Sequence, residues 1–402
     1  MTKRLLDPAK NSSEASSLIQ SFNRIIVGQD EAVEALVDVV EHHHSGFSDK
    51  TRPAGSLLFL GPTGTGKTRV VEALAHGLFH NEKAMIKVDC AEFQHSHEIA
   101  KLTGSPPGYL GHRETPPLFT QERLNSYQTE TLKLGIILFD EIEKASDALW
   151  QLLLGILDKA TITLGTNAQV DFSNQIIIMT SNLGSTDMSK MVDGGIGYQT
   201  NAKVGNIDAK LNTTAINAAK KKFTAEFFNR IDRVIVFKTL TKEQIKKVLM
   251  IELGQVQTRL QLSEIPFLMH VDESVKKAIL DEGYSAKYGA RELRRVIRKR
   301  IQSPLSRLSA TGQIEQNDIV FIEALPSGEF EFSIECRVPE KRDPPKTQPV
   351  LPLGPATTDL MDKLRAYKDI PSMTELRPCG CRVLRGWTCK LHEKDIPNDN
   401  KR

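Results

Sequence analysis

The sequence predicts an α/β protein: a parallel sheet flanked by helices, followed by a smaller helical domain that ends in a short β-hairpin. Three observations carry that expectation. Five short apolar runs stand in the first 240 residues, SLLFL (56–60), AMIKVD (84–89), GIILFD (135–140), QIIIMTSN (175–182) and RVIVF (233–237). Unbroken apolar strands of this kind suit a sheet buried on both faces. Helical patterns separate them, and an alternation of strand and helix argues for crossover connections. Past about Leu240 the pattern changes to long helices with basic outer faces.

The elements follow in order. Behind the first strand, Val71, Leu74, Ala75 and Leu78 recur at helical spacing. Behind the third, Leu149, Leu152, Leu153, Ile156 and Leu157 do the same, with Ser146 or Asp147 as the capping residue. LTKEQIKKVLMIELGQVQTRL and GARELRRVIRKRIQSPLSRL read as helices, and DIVFIE and EFEFSIE as a hairpin turning at ALPSG. The chain therefore divides into a lead (1–20), a large α/β domain (21–238), a small domain (239–337), a linker (338–378) with eight prolines, and a Cys/His tail (379–402).

Composition excludes several classes. Of 402 residues, 40% are hydrophobic and 26% charged, with formal net charge +3, so nothing demands nucleic acid or anionic lipid. The basic start has no apolar run behind it, which predicts no signal peptide. No apolar stretch approaches ~18 residues, which predicts no membrane span. Five cysteines, with Cys90 and Cys336 far apart, do not form a disulfide framework. The expectation is a cytoplasmic protein without membrane or nucleic-acid partners.

GPTGTGKT (Gly61–Thr68) follows a predicted strand and opens a predicted helix, matching the phosphate-loop pattern at Gly61, Gly66, Lys67 and Thr68. Pro62, Thr63, Gly64, Thr65 and Gly66 are candidate nucleotide-binding positions: the glycines let backbone N–H groups curl around phosphates, and the helix N-terminus adds partial positive charge. Lys67 would reach the β- and γ-phosphates of ATP, and the Thr68 hydroxyl would bind Mg2+. Asp140, at the end of the third strand, is placed for the Mg2+ hydration shell, and Glu141 to orient or deprotonate a water. Two solvated acids at a helix start are the plainer alternative. Asn182, ending another strand, is a candidate to hold the water, or else a turn asparagine.

Taken together, IIVGQDEAVEAL, GPTGTGKT, GSPPGYLG, LFDEIEKA, MTSNLG, FFNRID and YGARELRRVI resemble the AAA+ ATPases of the Clp family, most of all the second ATPase module of ClpB-, ClpA- and ClpC-type proteins. The resemblance covers roughly residues 20–335. It implies ATP hydrolysis coupled to protein unfolding by a homo-hexameric ring that threads polypeptide. It further implies Ile26 and Val27 at the adenine, Asn182 as a polar sensor, Arg230 as an arginine finger toward the neighbouring subunit, and Arg291 as a second sensor. Tyr109, with Leu110, corresponds to the pore-loop aromatic that grips unfolded or tagged substrate; a loop anchor is the alternative. Outside that context, both arginines would read as surface ion pairs.

The match departs in places. One phosphate loop is present, with no coiled-coil insert and about 20 residues before the ATPase domain, so a plain unfoldase is the safer expectation than a chaperone-coupled disaggregase. Ile196-Gly197-Tyr198 is similar to the tripeptide by which Clp unfoldases dock on a ClpP-type protease, although tyrosine is unusual there; a glycine-rich turn is the alternative. Cys379, Cys381, Cys389 and His392 fall within fourteen residues and suit a Cys3His zinc site, with a tighter Cys-x-Cys spacing than usual. The alternative is a tail with incidental cysteines. His42, His43 and His44 point in different directions on a helix and read as a helix end. Competing functions are the ATPase subunit of a ClpP-type protease, a nucleotide-switched scaffold, and a DNA motor. Tyr109 disfavours the last, since a phosphate backbone calls for lysine and arginine.

Overall fold

In a computed structural model of the chain, the five apolar runs form one parallel sheet: β1 (Gly55–Leu60), β2 (Ile86–Asp89), β3 (Gly135–Asp140), β6 (Gln175–Ser181) and β7 (Arg233–Val236), in the order β2-β3-β6-β1-β7. An antiparallel ribbon of β4 (Thr161–Thr163) and β5 (Gln169–Asp171) lies between the third and fourth sheet strands in sequence. The structure describes residues 11–105, 116–185, 204–284 and 289–334, with two short strands at 375–376 and 382–383. Tyr109, Leu110, Ile196-Gly197-Tyr198, Cys379, Cys381, Cys389, His392 and nearly all of the 338–378 segment lie outside the described residues.

Continuous apolar strands arise because each face of the sheet has its own core. Leu57, Phe59, Ile136, Leu138, Ile176 and Ile178 point to one side, into a cluster with α1 (Ser13–Ile25), α2 (Asp30–His44) and α3 (Lys67–Phe79). Leu58, Leu60, Ile137, Phe139, Ile177 and Met179 point to the other, against the helix Asp147–Lys159 and the helix Val204–Lys222. The period-2 alternation of a strand thus has no polar half here. The central strands β1 and β6 are buried throughout, whereas the edge strand β2 exposes Lys87 and Asp89. Ser146 is the N-cap of the Asp147–Lys159 helix, as expected, but its side chain makes no cap bond. Its hydroxyl is buried without a partner, and the main chain caps instead.

By internal contacts the chain divides into two units, Met1–Glu252 with Glu282–Arg295, and Leu253–Asp281 with Val296–Arg402. The second contains the C-terminal part of the helix Lys242–Gln261, a π-type turn at Arg298–Gln302, the helix Ser303–Ala310, and a three-stranded sheet. In that sheet the predicted hairpin β9 (Ile319–Ala324) and β10 (Phe330–Ile334) is antiparallel, and β8 (Leu268–Val271) adds a parallel partner that the sequence reading did not find. Gln257 supports β8, accepting from Met269 N at 2.7 Å and donating to Phe267 O at 3.1 Å. Among the described residues no helix is long and apolar enough to cross a membrane.

Candidate functional site

β3, β6 and β1 are neighbours in the sheet, so the segments leaving their carboxyl ends converge on one cleft. A cavity of about 440 Å3 opens there, wholly within the first unit. Ile26, Val27, Thr63, Gly64, Thr65, Gly66, Lys67, Thr68, Asp140, Glu141, Asn182 and Arg291 all line it. Pro62 does not; its carbonyl instead accepts from Thr65 Oγ1 and Lys67 Nζ, both at 2.9 Å. Arg230 is also outside the cavity. Its guanidinium meets Asp158 Oδ1 at 2.6 Å, both side chains about two-fifths exposed, while Arg52 donates to its carbonyl at 2.9 Å.

The glycine-rich loop is held by backbone geometry that other residues resist. Gly66, the residue before α3, has φ +101°, in the left-handed range. On the far wall, Ala290 N donates to Gly64 O at 3.1 Å, and a Cβ at Gly289 would stand 2.7 Å from that same oxygen. The start of the Ala290–Ile297 helix therefore packs directly on the loop, which sets Arg291 at the cavity. Gln29, almost fully buried, ties the loop to the end of β7, donating to Thr65 O at 3.1 Å and Lys238 O at 3.0 Å.

Lys67 is buried and spends its three N–H bonds on Gly61 O (2.6 Å), Pro62 O (2.9 Å) and Asn182 Oδ1 (2.8 Å). Burial pushes its ammonium down to about 8, against the opposing pull of Glu143, Asp140 and Glu141. An anionic phosphate at that ammonium restores the ordinary value. Below pH ~8 Lys67 is protonated in both states; above it, only the phosphate-bound state keeps the proton. Nucleotide binding is therefore expected to take up a proton near pH ~9 and little from Lys67 near pH ~7. Calorimetry in buffers of different ionisation heat measures this, and equal proton uptake at the two pH values contradicts it.

The acidic side of the cleft is tightly wired. Asp140 Oδ1 accepts from Thr180 Oγ1 at 2.5 Å, and Oδ2 meets Lys87 Nζ at 2.8 Å. Burial alone would push the Asp140 carboxyl up, but Lys87, Thr180 and Lys67 hold it below the usual range. Glu141 stands at φ +57°, a left-handed conformation that a non-glycine residue keeps only when its surroundings impose it. Its N–H donates to Thr180 Oγ1 at 3.1 Å, and its carboxylate takes Asn182 Nδ2 at 3.2 Å and the Lys144 ammonium. Glu143 Oε1 accepts from Asn182 N at 3.1 Å, and its other oxygen is buried without a partner.

Thr68 and Asp140 are the oxygen donors suited to Mg2+, which takes one or two side-chain ligands and completes its octahedron with water and phosphate. Sequence reasoning missed Gln29, Lys87, Thr180 and the Arg294–Glu252 pair (2.7 Å) on the cavity wall, and Glu143 behind it at the Asn182 backbone. Only Glu143 carried a signal, as the second acid after Glu141.

Comparison with known proteins bears out the family and the fold. Residues 52–234 match the family described as AAA domain (Cdc48 subfamily), and residues 240–322 match the C-terminal, D2-small domain of ClpB protein. The chain is 35% identical over 311 residues to the chaperone protein ClpB of Meiothermus ruber, a stretch covering 77% of this chain and 34% of that one. It is 36% identical over 333 residues to the ATP-dependent Clp protease ATP-binding subunit ClpC of Staphylococcus aureus, covering 83% of this chain and 39% of that one. The chain thus spans between a third and two-fifths of these curated relatives. Among solved structures it is similar to Hsp104 in a closed state with ATPγS and FITC casein (TM-score 0.66, 29% identity, 81% of this chain and 53% of that chain). It is also similar to the S. cerevisiae Hsp104:casein complex in its extended conformation (TM-score 0.68, 28% identity, 80% and 53%).

Proposed function

Since the chain belongs to the Clp family of AAA+ ATPases, we propose that it hydrolyses ATP and uses the energy to unfold or remodel polypeptide threaded through a homo-hexameric ring. The observation that carries the reading is the meeting of Lys67, Asp140, Glu141, Asn182 and Arg291 around one cavity beside a glycine-rich loop. In this reading Ile26 and Val27 contact adenine, and backbone N–H groups of residues 63–66 cradle phosphate, with Pro62 shaping the loop. Lys67 neutralises the β- and γ-phosphates, and Thr68 and Asp140 hold Mg2+. Bound Mg2+ supplies charge neutralisation on the phosphates.

Glu141 is the base for the attacking water, and the amide of Asn182 orients that water beside it. Arg230, pointing away from its own cavity, serves the nucleotide of a neighbouring subunit, and Arg291 couples the Ala290–Ile297 helix to the γ-phosphate. Tyr109 and Leu110 grip the substrate chain. An aromatic there offers large contact area at low entropy cost and is indifferent to substrate sequence. A ClpC-type relative that is a protease subunit favours a second reading, in which Ile196-Gly197-Tyr198 docks a ClpP-type protease.

The test is ATP-driven loss of fluorescence from a tagged fluorescent protein, with and without a ClpP-type protease. Wild type is expected to unfold it. Tyr109→Ala is expected to keep nucleotide hydrolysis and lose at least ~90% of unfolding, a loss of grip rather than of chemistry. Full-rate unfolding by Tyr109→Ala removes the gripping role. Hydrolysis without unfolding by wild type removes the unfoldase reading in favour of a nucleotide-switched scaffold.

A further inference from the structure

Both oxygens of Asp140 are already engaged, one by a hydroxyl and the other by an ammonium. The register explains the second contact. Asp89 on β2 stands opposite Asp140 on β3, so Lys87, two residues back, projects from the same face diagonally across the strand pair. A diagonal neighbour is within reach of a long side chain. Lys67 does not serve Asp140 in this way, because its three donors go to Gly61, Pro62 and Asn182. The corner also holds the carboxylates of Glu141, paired with Lys144, and Glu143, so negative charge gathers there and Lys87 is the cation on Asp140 itself.

We propose that Lys87 is the resident cation of the metal-binding corner, holding Asp140 until a divalent cation displaces it and thereby setting how much Mg2+ the site demands. The inference rests on the nucleotide-site reading above. Mg2+ at this carboxylate, whether in direct contact at about 2.0–2.1 Å or held through a water of its rigid shell, repels an ammonium on the same oxygen, so the two cations compete for Asp140 Oδ2. Lys87 is half-exposed at the sheet edge, and its flexible stem leaves without disturbing the core. Lys87 is thus a positioning residue: it keeps Asp140 aimed in the absence of metal, and it competes with the metal for the same carboxylate.

The experiment titrates Mg2+ against binding of a fluorescent, non-hydrolysable ATP analogue to the full chain, comparing wild type with Lys87→Met, Lys87→Gln and Lys87→Arg. Removing a half-exposed competing ion pair is expected to lower the half-saturating Mg2+ about three- to fivefold for the two neutral variants. Their affinity for the analogue in EDTA should stay within about twofold of wild type, and Lys87→Arg, which keeps the charge, should leave the Mg2+ demand near wild type. An unchanged or raised Mg2+ demand in the neutral variants overturns the proposal. So does a parallel loss of affinity in EDTA, which would make Lys87 a direct nucleotide ligand. If wild type binds no analogue at any Mg2+ concentration, the nucleotide-site reading falls with it; if wild type binds and the variants match it, only the role of Lys87 falls.

Discussion

Glu141→Gln is expected to stop phosphate release while leaving ATP bound. Glutamine keeps the size of the side chain and an oxygen to accept from Asn182 Nδ2, so the wiring at the end of β3 survives. What disappears is the carboxylate proposed to take a proton from water. General-base catalysis is worth ~10²–10⁴ in rate, which sets the expected loss. Affinity for ATP should change by less than about threefold, because Lys67 and the glycine-rich loop carry phosphate binding. Single-turnover phosphate release and fluorescent-nucleotide binding read the two quantities separately. A Gln variant that keeps more than a tenth of wild-type turnover assigns the base elsewhere, and one that loses binding as well makes Glu141 a structural acid.

The second large effect belongs to Arg230. Within its own chain this arginine makes a half-exposed ion pair with Asp158, and exposed pairs of that kind contribute ~0–1 kcal/mol. If that were its whole role, Arg230→Ala would be nearly silent. An arginine supplied to a neighbouring nucleotide contributes ~10³–10⁵ in rate, so the proposed function expects hydrolysis to fall by about three orders of magnitude with ATP binding intact. A mixing experiment separates action in trans from damage in cis. Neither Arg230→Ala nor Glu141→Gln hydrolyses alone, yet in mixed rings an Arg230→Ala subunit offers its Glu141 beside the intact Arg230 of a Glu141→Gln neighbour. Activity is expected to return on mixing. Two preparations that stay inactive together place Arg230 outside the neighbour's site.

Glu141 could be picked out by eye, and the reason is local, whereas Arg230 came only from the family resemblance. Phosphate-loop spacing, the acid pair after an apolar strand and the asparagine ending another are contiguous patterns, so each can be read along the chain. The strands were legible for the same reason. A sheet with helices on both faces leaves no polar alternation, and runs such as GIILFD and QIIIMTS announce it. β8 was not legible, because LMHV is short, half-exposed and recognisable as a strand only beside β9. Ser146 shows the opposite failure: a residue type that favours helix starts sits at the start and caps nothing with its hydroxyl.

By itself, then, the sequence determined the order of the main sheet strands, the two-sided core and a set of candidate residues, most of which line one cavity. Tertiary structure alone decided how those residues are held. Thr180 and Lys87 reach Asp140 only because β2, β3 and β6 align in parallel register. Glu143 reaches the Asn182 backbone 39 positions away, Gln29 bridges to Lys238 209 positions away, and Gly289 rests against Gly64. The physical reason is that periodicity tells which face of an element a side chain leaves from, whereas a hydrogen bond or an ion pair depends on what the neighbouring element presents at that height. That second quantity is a property of the packed sheet, and no window of sequence contains it.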